Sequence, residues 1–226
     1  MIVTVEILKP LFVITGGFAV IILLAFFKKP KKRKSKISTP NKSDSNGWSI
    51  ELLKSLEWKR YEEICKEVLA IKENGRINVS TTKMGADGGI DLKITDKKNN
   101  VVALGQCKAY NSPVGVAFIR ELYGVMASEK VTEGYFFTTS KFSNDAIEFA
   151  NKNKITLING NEQIKTIQSF KPEQQKHLFT LATNGDYTTP TCVNCDIKMT
   201  KKNSENGEFW GCLNYPRCKN TLKVRK

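Results

Sequence analysis

Apolar and polar positions divide the chain into stretches of different period, and each period predicts an element. From Pro10 to Phe27 there is no charge, and most positions are Leu, Ile, Val, Phe or Ala. At about 1.5 Å of rise per residue such a run just crosses a bilayer core, which predicts a membrane helix within residues 1–28. A cleaved signal peptide is the competing reading, but the basic n-region is weak and no small-x-small cleavage site follows. Residues 29–47 lack an apolar period and are rich in Lys, Ser, Asn and Pro, the composition of a flexible basic linker.

Periodic structure begins at Trp48. Between Ile50 and Ile71, the residues Leu53, Leu56, Trp58, Tyr61, Ile64, Cys65, Val68 and Leu69 recur at helical spacing and predict a helix pair or one broken helix. Ile77 to Ser80 reads as a short strand, and Thr81 to Gly89 as a loop whose three glycines permit φ values closed to other residues. Asp91 opens an alternating segment, with Leu92 and Ile94 apolar and Lys93 and Thr95 polar. Val101 to Lys108 reads as its hairpin partner across the turn-forming residues Asp96 to Asn100.

Pro113 can start a helix through Val116, Ile119, Leu122, Tyr123 and Met126. A buried strand Tyr135–Thr138, a helix Asn144–Lys152 capped by Ser143, a strand Ile155–Ile158 and a helix Asn161–Ile167 follow. This alternation predicts an α/β layered domain over residues 48–168, with central strands covered by helices. Residues 169–189 are polar and broken by Pro172 and Asn184-Gly185-Asp186, which predicts a second linker before a small module at 190–226.

Charge refines this map. The net charge of +14 over 226 residues sits at the ends: +7 in residues 1–46 and +5 in residues 187–226, against +2 in residues 47–170. Both ends therefore attract a polyanion or an anionic surface. The basic run Lys28 to Lys34 follows the apolar stretch, so the positive-inside rule puts the N-terminus outside and the rest of the chain in the cytoplasm, as a single-pass membrane protein. The same run can also serve only to set topology and touch lipid headgroups. His177 is the single histidine and lies in the predicted polar linker, which argues against triad, His-metal and HEXXH chemistry.

The candidate chemistry lies on the predicted hairpin. Residues two apart on a strand share a face, so Gln106 and Lys108 point one way and Cys107 the other. Asp91, Gln106 and Lys108 can then converge at one end of the hairpin. On the preceding helix Glu62 lies at the margin of the apolar stripe while Glu63 turns toward solvent, making Glu62 the better candidate. The competing reading of Glu62 is a solvated glutamate beside Lys59 and Lys66. Asp87 reads as a loop-stabilising residue or as a further acidic contact.

The terminal module carries Cys192-x2-Cys195 and Cys212-x5-Cys218. Four thiolates in a segment too short for its own core predict a structural zinc ribbon, and disulfides would be unexpected on the cytoplasmic side of a membrane. Phe209, Trp210 and Tyr215 offer stacking surfaces, and Lys198, Lys201, Lys202, Arg217 and Lys219 offer phosphate partners. Cys65 and Cys107 occupy apolar-face positions and read as packing residues.

The order Gly85-Ala86-Asp87-Gly88-Gly89-Ile90-Asp91, then Gln106-Cys107-Lys108, resembles the catalytic domain of Mrr-type restriction endonucleases, a branch of the PD-(D/E)xK nucleases, over residues 48–168. In that branch Gln stands where most relatives carry a second acid, and Tyr61-Glu62 matches the acidic residue that follows an aromatic on the first helix. The resemblance implies the PD-(D/E)xK (restriction endonuclease-like) fold and a Mg²⁺-dependent DNA endonuclease, acting in restriction of foreign or modified DNA. Its catalytic residues would be Glu62, Asp91, Gln106 and Lys108, with Asp91 and Glu62 holding Mg²⁺. Many such nucleases cut both strands as paired subunits, though no homodimer surface is legible here. The stretch from Gly207 to Cys218 resembles the C-terminal zinc ribbons of bacterial type I topoisomerases, which implies DNA binding, often to single strands. A catalytically silent DNA-binding protein on a nuclease fold remains the alternative, because fold alone does not establish a reaction.

Overall fold

The computed structural model describes residues 47–82 and 89–224. The predicted membrane span at 1–28, the linker up to residue 46, and Gly85, Ala86, Asp87 and Gly88 of the glycine motif lie outside them. Among the described residues no helix is long and apolar enough to cross a membrane.

Two short helices open the domain: α1 (Ile50–Ser55), capped by the Ser49 hydroxyl, and α2 (Trp58–Lys72). The broken pair arises at Leu56 and Glu57, where the backbone turns extended. Next come β1 (Asn78–Thr81), β2 (Leu92–Thr95) and β3 (Val101–Lys108), an antiparallel meander. Helix α3 (Val116–Ser128) then carries the chain to β4 (Glu133–Thr138), and α4 (Asn144–Lys152) to β5 (Ile155–Ile158). Strands β3, β4 and β5 run parallel, as the intervening helices require, and the sheet order is β1-β2-β3-β4-β5. Ser143 caps α4 as predicted, accepting from the Ala146 amide at 3.2 Å.

Strand alternation splits the core into two layers. Ala103, Cys107 and Phe137 pack with Tyr61, Ile64, Cys65 and Leu69 of α2, whereas Leu104 and Phe136 pack with Ile119, Leu122 and Met126 of α3 and Ala146 and Ala150 of α4. One prediction shifts here. The helix drawn from Pro113 starts instead at Val116, because the fully buried Val114 pairs with Phe142 in a short extension of the sheet.

A second prediction is corrected. The polar segment 169–189 is not simply a linker. After α5 (Gly160–Gln168), whose Asn159–Glu162 capping box fixes its start, the chain forms α6 (Pro172–Thr183), with Pro172 in its first turn. Leu178 and Ala182 are fully buried in the α2 layer, Phe179 meets Trp48 edge-on at 6.0 Å between ring centres, and Arg60 donates to the Leu181 and Asn184 carbonyls. A narrow apolar stripe on an otherwise polar helix suffices when it meets a prepared surface. His177 sits on the exposed side of α6.

The terminal module is a three-stranded antiparallel sheet of β6 (Thr200–Ser204), β7 (Gly207–Gly211) and β8 (Thr221–Lys223), packed around the cysteines.

Candidate active site and the docked ribbon

Asp91 enters β2 just after Ile90, and its amide donates to the Gly105 carbonyl at 2.9 Å, so the hairpin fixes its backbone. Its carboxylate accepts from the Cys107 amide at 2.7 Å. The Glu62 carboxyl, on the inner face of α2, reaches the same point and hydrogen-bonds to Asp91. Both side chains are more than nine-tenths buried. Burial first, then the Asp91 charge and the bond to it, push Glu62 from its ordinary 4.5 to about 9, with Lys108 acting the other way. Burial also raises Asp91, against the Cys107 amide and Lys108. Two carboxyl groups are thus brought together out of water with one ammonium beside them, an arrangement that favours a proton on Glu62. That donor set fits a divalent cation, whose charge would replace the proton.

Glu62, Asp91 and Lys108 line one wall of a cleft of about 750 Å³, joined there by Cys107. Gln106, expected to converge with them, does not line it. Cys107 faces the α2 side of β3, where the cleft opens, and Gln106 points into the α3 layer; Lys108 follows the same alternation as Gln106 but is the last residue of β3 and reaches the cleft from the strand's end. The Gln106 carboxamide, 1% exposed, donates to the Gly89 carbonyl at 2.9 Å, and its Oε1 is buried without a hydrogen-bond partner. Gly89 has φ +82°, and a β-carbon there would lie 3.1 Å from Gln106 Nε2, so the last glycine of the motif allows both the turn and this bond. Gln106 therefore braces the segment leading to Asp91.

The opposite wall of the cleft comes from the terminal module, through Val193, Trp210, Leu222 and Lys223. A buried carboxylate holds that module in place. Glu57, at the N-cap of α2, accepts from the Thr191 amide at 3.1 Å, the Thr191 hydroxyl at 3.0 Å and Lys198 Nζ at 3.2 Å. Beside it, Trp58 Nε1 donates to the Thr191 carbonyl at 2.8 Å, and Lys59 pairs with Asp196. Lys198, predicted as a phosphate partner, is thus committed to Glu57 and to the Thr189 carbonyl. No sequence signal pairs Glu57 with Thr191, 134 residues away. Lys201 pairs with Glu208, while Arg217 and Tyr215 are exposed away from the cleft, Tyr215 under the Lys202 ammonium.

The sulfur atoms of Cys192, Cys195, Cys212 and Cys218 all lie within 4.8 Å of one another, with Cys192 and Cys218 3.8 Å apart. A tetrahedron of ~2.3 Å zinc–sulfur bonds has edges of about 3.8 Å, so the four thiols fit that ion. Asn220 Nδ2 and the Asn214 amide point at Cys192 and Cys212, the outer contacts that orient such ligands. Burial pushes the Cys212 thiol up to about 12.

Comparison with known proteins follows this division. The Mrr catalytic family, described as restriction endonuclease, matches residues 53–167, half of the chain, and the topoisomerase DNA binding C4 zinc finger matches residues 190–226. The chain belongs to the Mrr-type restriction endonuclease family. This Mrr-type chain is 33% identical over 104 residues to the type IV methyl-directed restriction enzyme EcoKMrr of Escherichia coli (strain K12), covering 45% of this chain and 34% of that one. Among solved structures it is similar to the MspJI restriction endonuclease in complex with a 27-mer oligonucleotide (TM-score 0.40, 17% identity, 60% of this chain and 34% of that chain). It is also similar to the DNA modification-dependent restriction endonuclease AspBHI (TM-score 0.44, 19% identity, 59% and 38%). The Mrr-type chain spans little more than a third of the length of each of these relatives.

Proposed function

We propose that the chain is a DNA endonuclease that depends on a divalent cation, Mg²⁺ by the chemistry of its donors, and hydrolyses phosphodiester bonds in the cleft between the α/β domain and the ribbon. The observation that carries this reading is the contact between two buried carboxyl groups, Glu62 and Asp91, beside Lys108, in a chain of the restriction endonuclease family. Hard oxygen donors suit Mg²⁺, and Glu62 and Asp91 would hold it. The cation, when bound, supplies Lewis acidity toward the phosphoryl oxygens and the attacking water.

The chain's own groups account for the remaining steps. The hairpin and the Cys107 amide hold the Asp91 carboxylate in one orientation. Glu62 gives up its proton to solvent when the site charges. The water oxygen gives up a proton to solvent and forms a bond to phosphorus as the bond from phosphorus to the leaving deoxyribose oxygen breaks, and that oxygen takes up a proton from solvent. Lys108 offers an ammonium at the cleft wall to orient the water and offset charge developing on the phosphoryl oxygens. Gln106 acts as a positioning residue through Gly89. Zinc in the four-cysteine ribbon is structural in this reading. The membrane anchor, resting on the uncharged run Pro10–Phe27, would keep the cleft near the cytoplasmic membrane surface.

The test incubates the purified full chain with plasmids bearing modified and unmodified bases, with Mg²⁺ or EDTA, beside Asp91→Ala and Lys108→Ala. Metal-dependent cutting that both substitutions abolish is expected. Equal DNA binding by all three proteins with no cutting of any substrate would refute the nuclease and favour a silent binding domain.

A further inference from the structure

Three lysines line the cleft: Lys54, Lys108 and Lys223. Lys108 stands beside the two carboxyl groups, and Lys223 is an exposed residue of the ribbon. Lys54 comes from α1. It lies in the last turn of that helix, which Ser49 caps and which Leu53, and Leu56 just beyond it, pin to the core with fully buried side chains. The backbone under Lys54 is thereby fixed, while its half-buried side chain forms part of the cleft wall.

The polar groups around Lys54 are already matched to others. Glu57, which also lines the cleft, accepts from Thr191 and from Lys198, so another lysine balances its charge. Trp58 Nε1 is taken up by the Thr191 carbonyl, and Lys59 by Asp196. Among the described residues no ion pair or hydrogen bond holds the Lys54 ammonium. A half-buried ammonium of this kind has lost hydration without gaining a partner, a cost that a bound anion removes. General attraction does not make it redundant. Residues 47–170 carry a net charge of +2, so the α/β domain has no broad basic field of its own. Phosphates that enter its site depend on individually placed cations.

We infer that Lys54 is a substrate-positioning residue: its ammonium pairs with a DNA backbone phosphate neighbouring the one that is cut, and so sets the strand across Glu62, Asp91 and Lys108. The inference rests on the nuclease reading for which phosphate is cut, whereas the pairing itself does not need it. A polynucleotide brings a phosphate on either side of the reacting one, each an anion in the same cleft. Lysine suits this task, as a compact point charge on a flexible stem that contacts phosphate without reading sequence. Its contribution is to holding the substrate and not to the bond changes at phosphorus.

The salt dependence of binding tests the pairing apart from catalysis. A fluorescein-labelled duplex is titrated with the full chain, Lys54→Gln, Lys54→Arg and Lys152→Ala, without added divalent cation, between about 50 and 200 mM salt. Lys54→Gln keeps most of the stem and drops the charge. Lys152→Ala also drops one charge, on the exposed side of α4 in the layer across the sheet from the cleft. Lys54→Gln should make the fall of log K with log salt shallower by about one and weaken binding about three- to tenfold at the lowest salt. Lys54→Arg should restore both, and Lys152→Ala should keep the wild-type slope. With Mg²⁺ present, Lys54→Gln should raise KM by a similar factor and hold kcat within about twofold, whereas Lys108→Ala abolishes cutting. A Lys54→Gln slope equal to that of Lys152→Ala, or a wild-type chain that binds no duplex, overturns the inference. A loss of affinity with unchanged slope marks a structural role at the end of α1 and overturns it as well. If no protein cuts DNA yet the slope still depends on Lys54, the nuclease reading fails and the phosphate pairing stands. Cutting by a chain whose Lys54→Gln variant keeps both slope and KM has the opposite meaning.

Discussion

Replacing Glu62 by Gln should stabilise the protein in the absence of divalent cation while disabling its site. The carboxamide keeps the shape of the side chain and can still donate to Asp91, but it never carries a charge. Glu62 has its proton affinity raised from 4.5 to about 9 in the folded chain. For a group whose folded value is raised, the contribution to stability is fully present below the unfolded value and is lost as pH rises through the folded one. At pH 7 the unfolded chain has lost this proton and the folded chain has kept it, a penalty of roughly 3 kcal/mol at about 1.4 kcal/mol per pH unit. Glu62→Gln escapes that penalty. Its advantage should be near zero at pH 4.5, grow by about 1.4 kcal/mol per pH unit and level off above pH 9.

Urea unfolding of the full chain at pH 5, 7 and 8, with zinc retained and no Mg²⁺, measures this slope. An advantage that is equal at pH 5 and pH 8, or a variant less stable at both, would refute the account of Glu62 as a buried group that holds a proton. Saturating Mg²⁺ should then stabilise the wild type and leave the variant unchanged, because only a chain that binds the cation gains from it. Stability and function oppose each other at this residue.

Three further outcomes follow from the same geometry. Mg²⁺ binding should release about one proton per chain near pH 7.5 and tighten as pH rises toward 9, because the cation displaces the Glu62 proton; calorimetry in two buffers of different ionisation enthalpy reads this number. Cys212→Ser should lower bound zinc from about one ion per chain to none by metal analysis and melt the ribbon, since a closed four-thiolate site supplies its folding energy. Leu178→Ala on α6 should cost about 2–5 kcal/mol in urea unfolding, whereas His177→Ala beside it should stay within about 0.5 kcal/mol; equal small effects would show that α6 is not part of the core.

Local signals carried most of the α/β domain. The hairpin from Asp91 to Lys108, the Ser143 cap and the helical stripe with Tyr61 and Glu62 are each written in a few adjacent residues, and period and capping chemistry read them directly. Glu62 and Asp91 meet because the stripe margin of α2 and the mouth of the hairpin face the same layer. The failures lie where a choice depends on distant surface. Alternation separates Gln106 from Cys107 and pairs it with Lys108, but only the tertiary structure shows that Lys108, at the end of β3, reaches the cleft while Gln106 stays in the α3 layer. Helix α6 was lost because its stripe of Leu178, Leu181 and Ala182 is narrow and its other positions are polar; the surface it covers belongs to α2, more than a hundred residues earlier. Lys198 looked like any ribbon lysine until Glu57 appeared beneath it. The sequence therefore presented two modules and a tether where the structure has one cleft with two walls. Glu57 and Glu62 sit on one element, and the Glu57 charge itself adds to the forces that keep the proton on Glu62. The residue that sets the ribbon in place thus stands on the same helix as the carboxyl group of the site, and its charge adds, after burial and Asp91, to what raises Glu62.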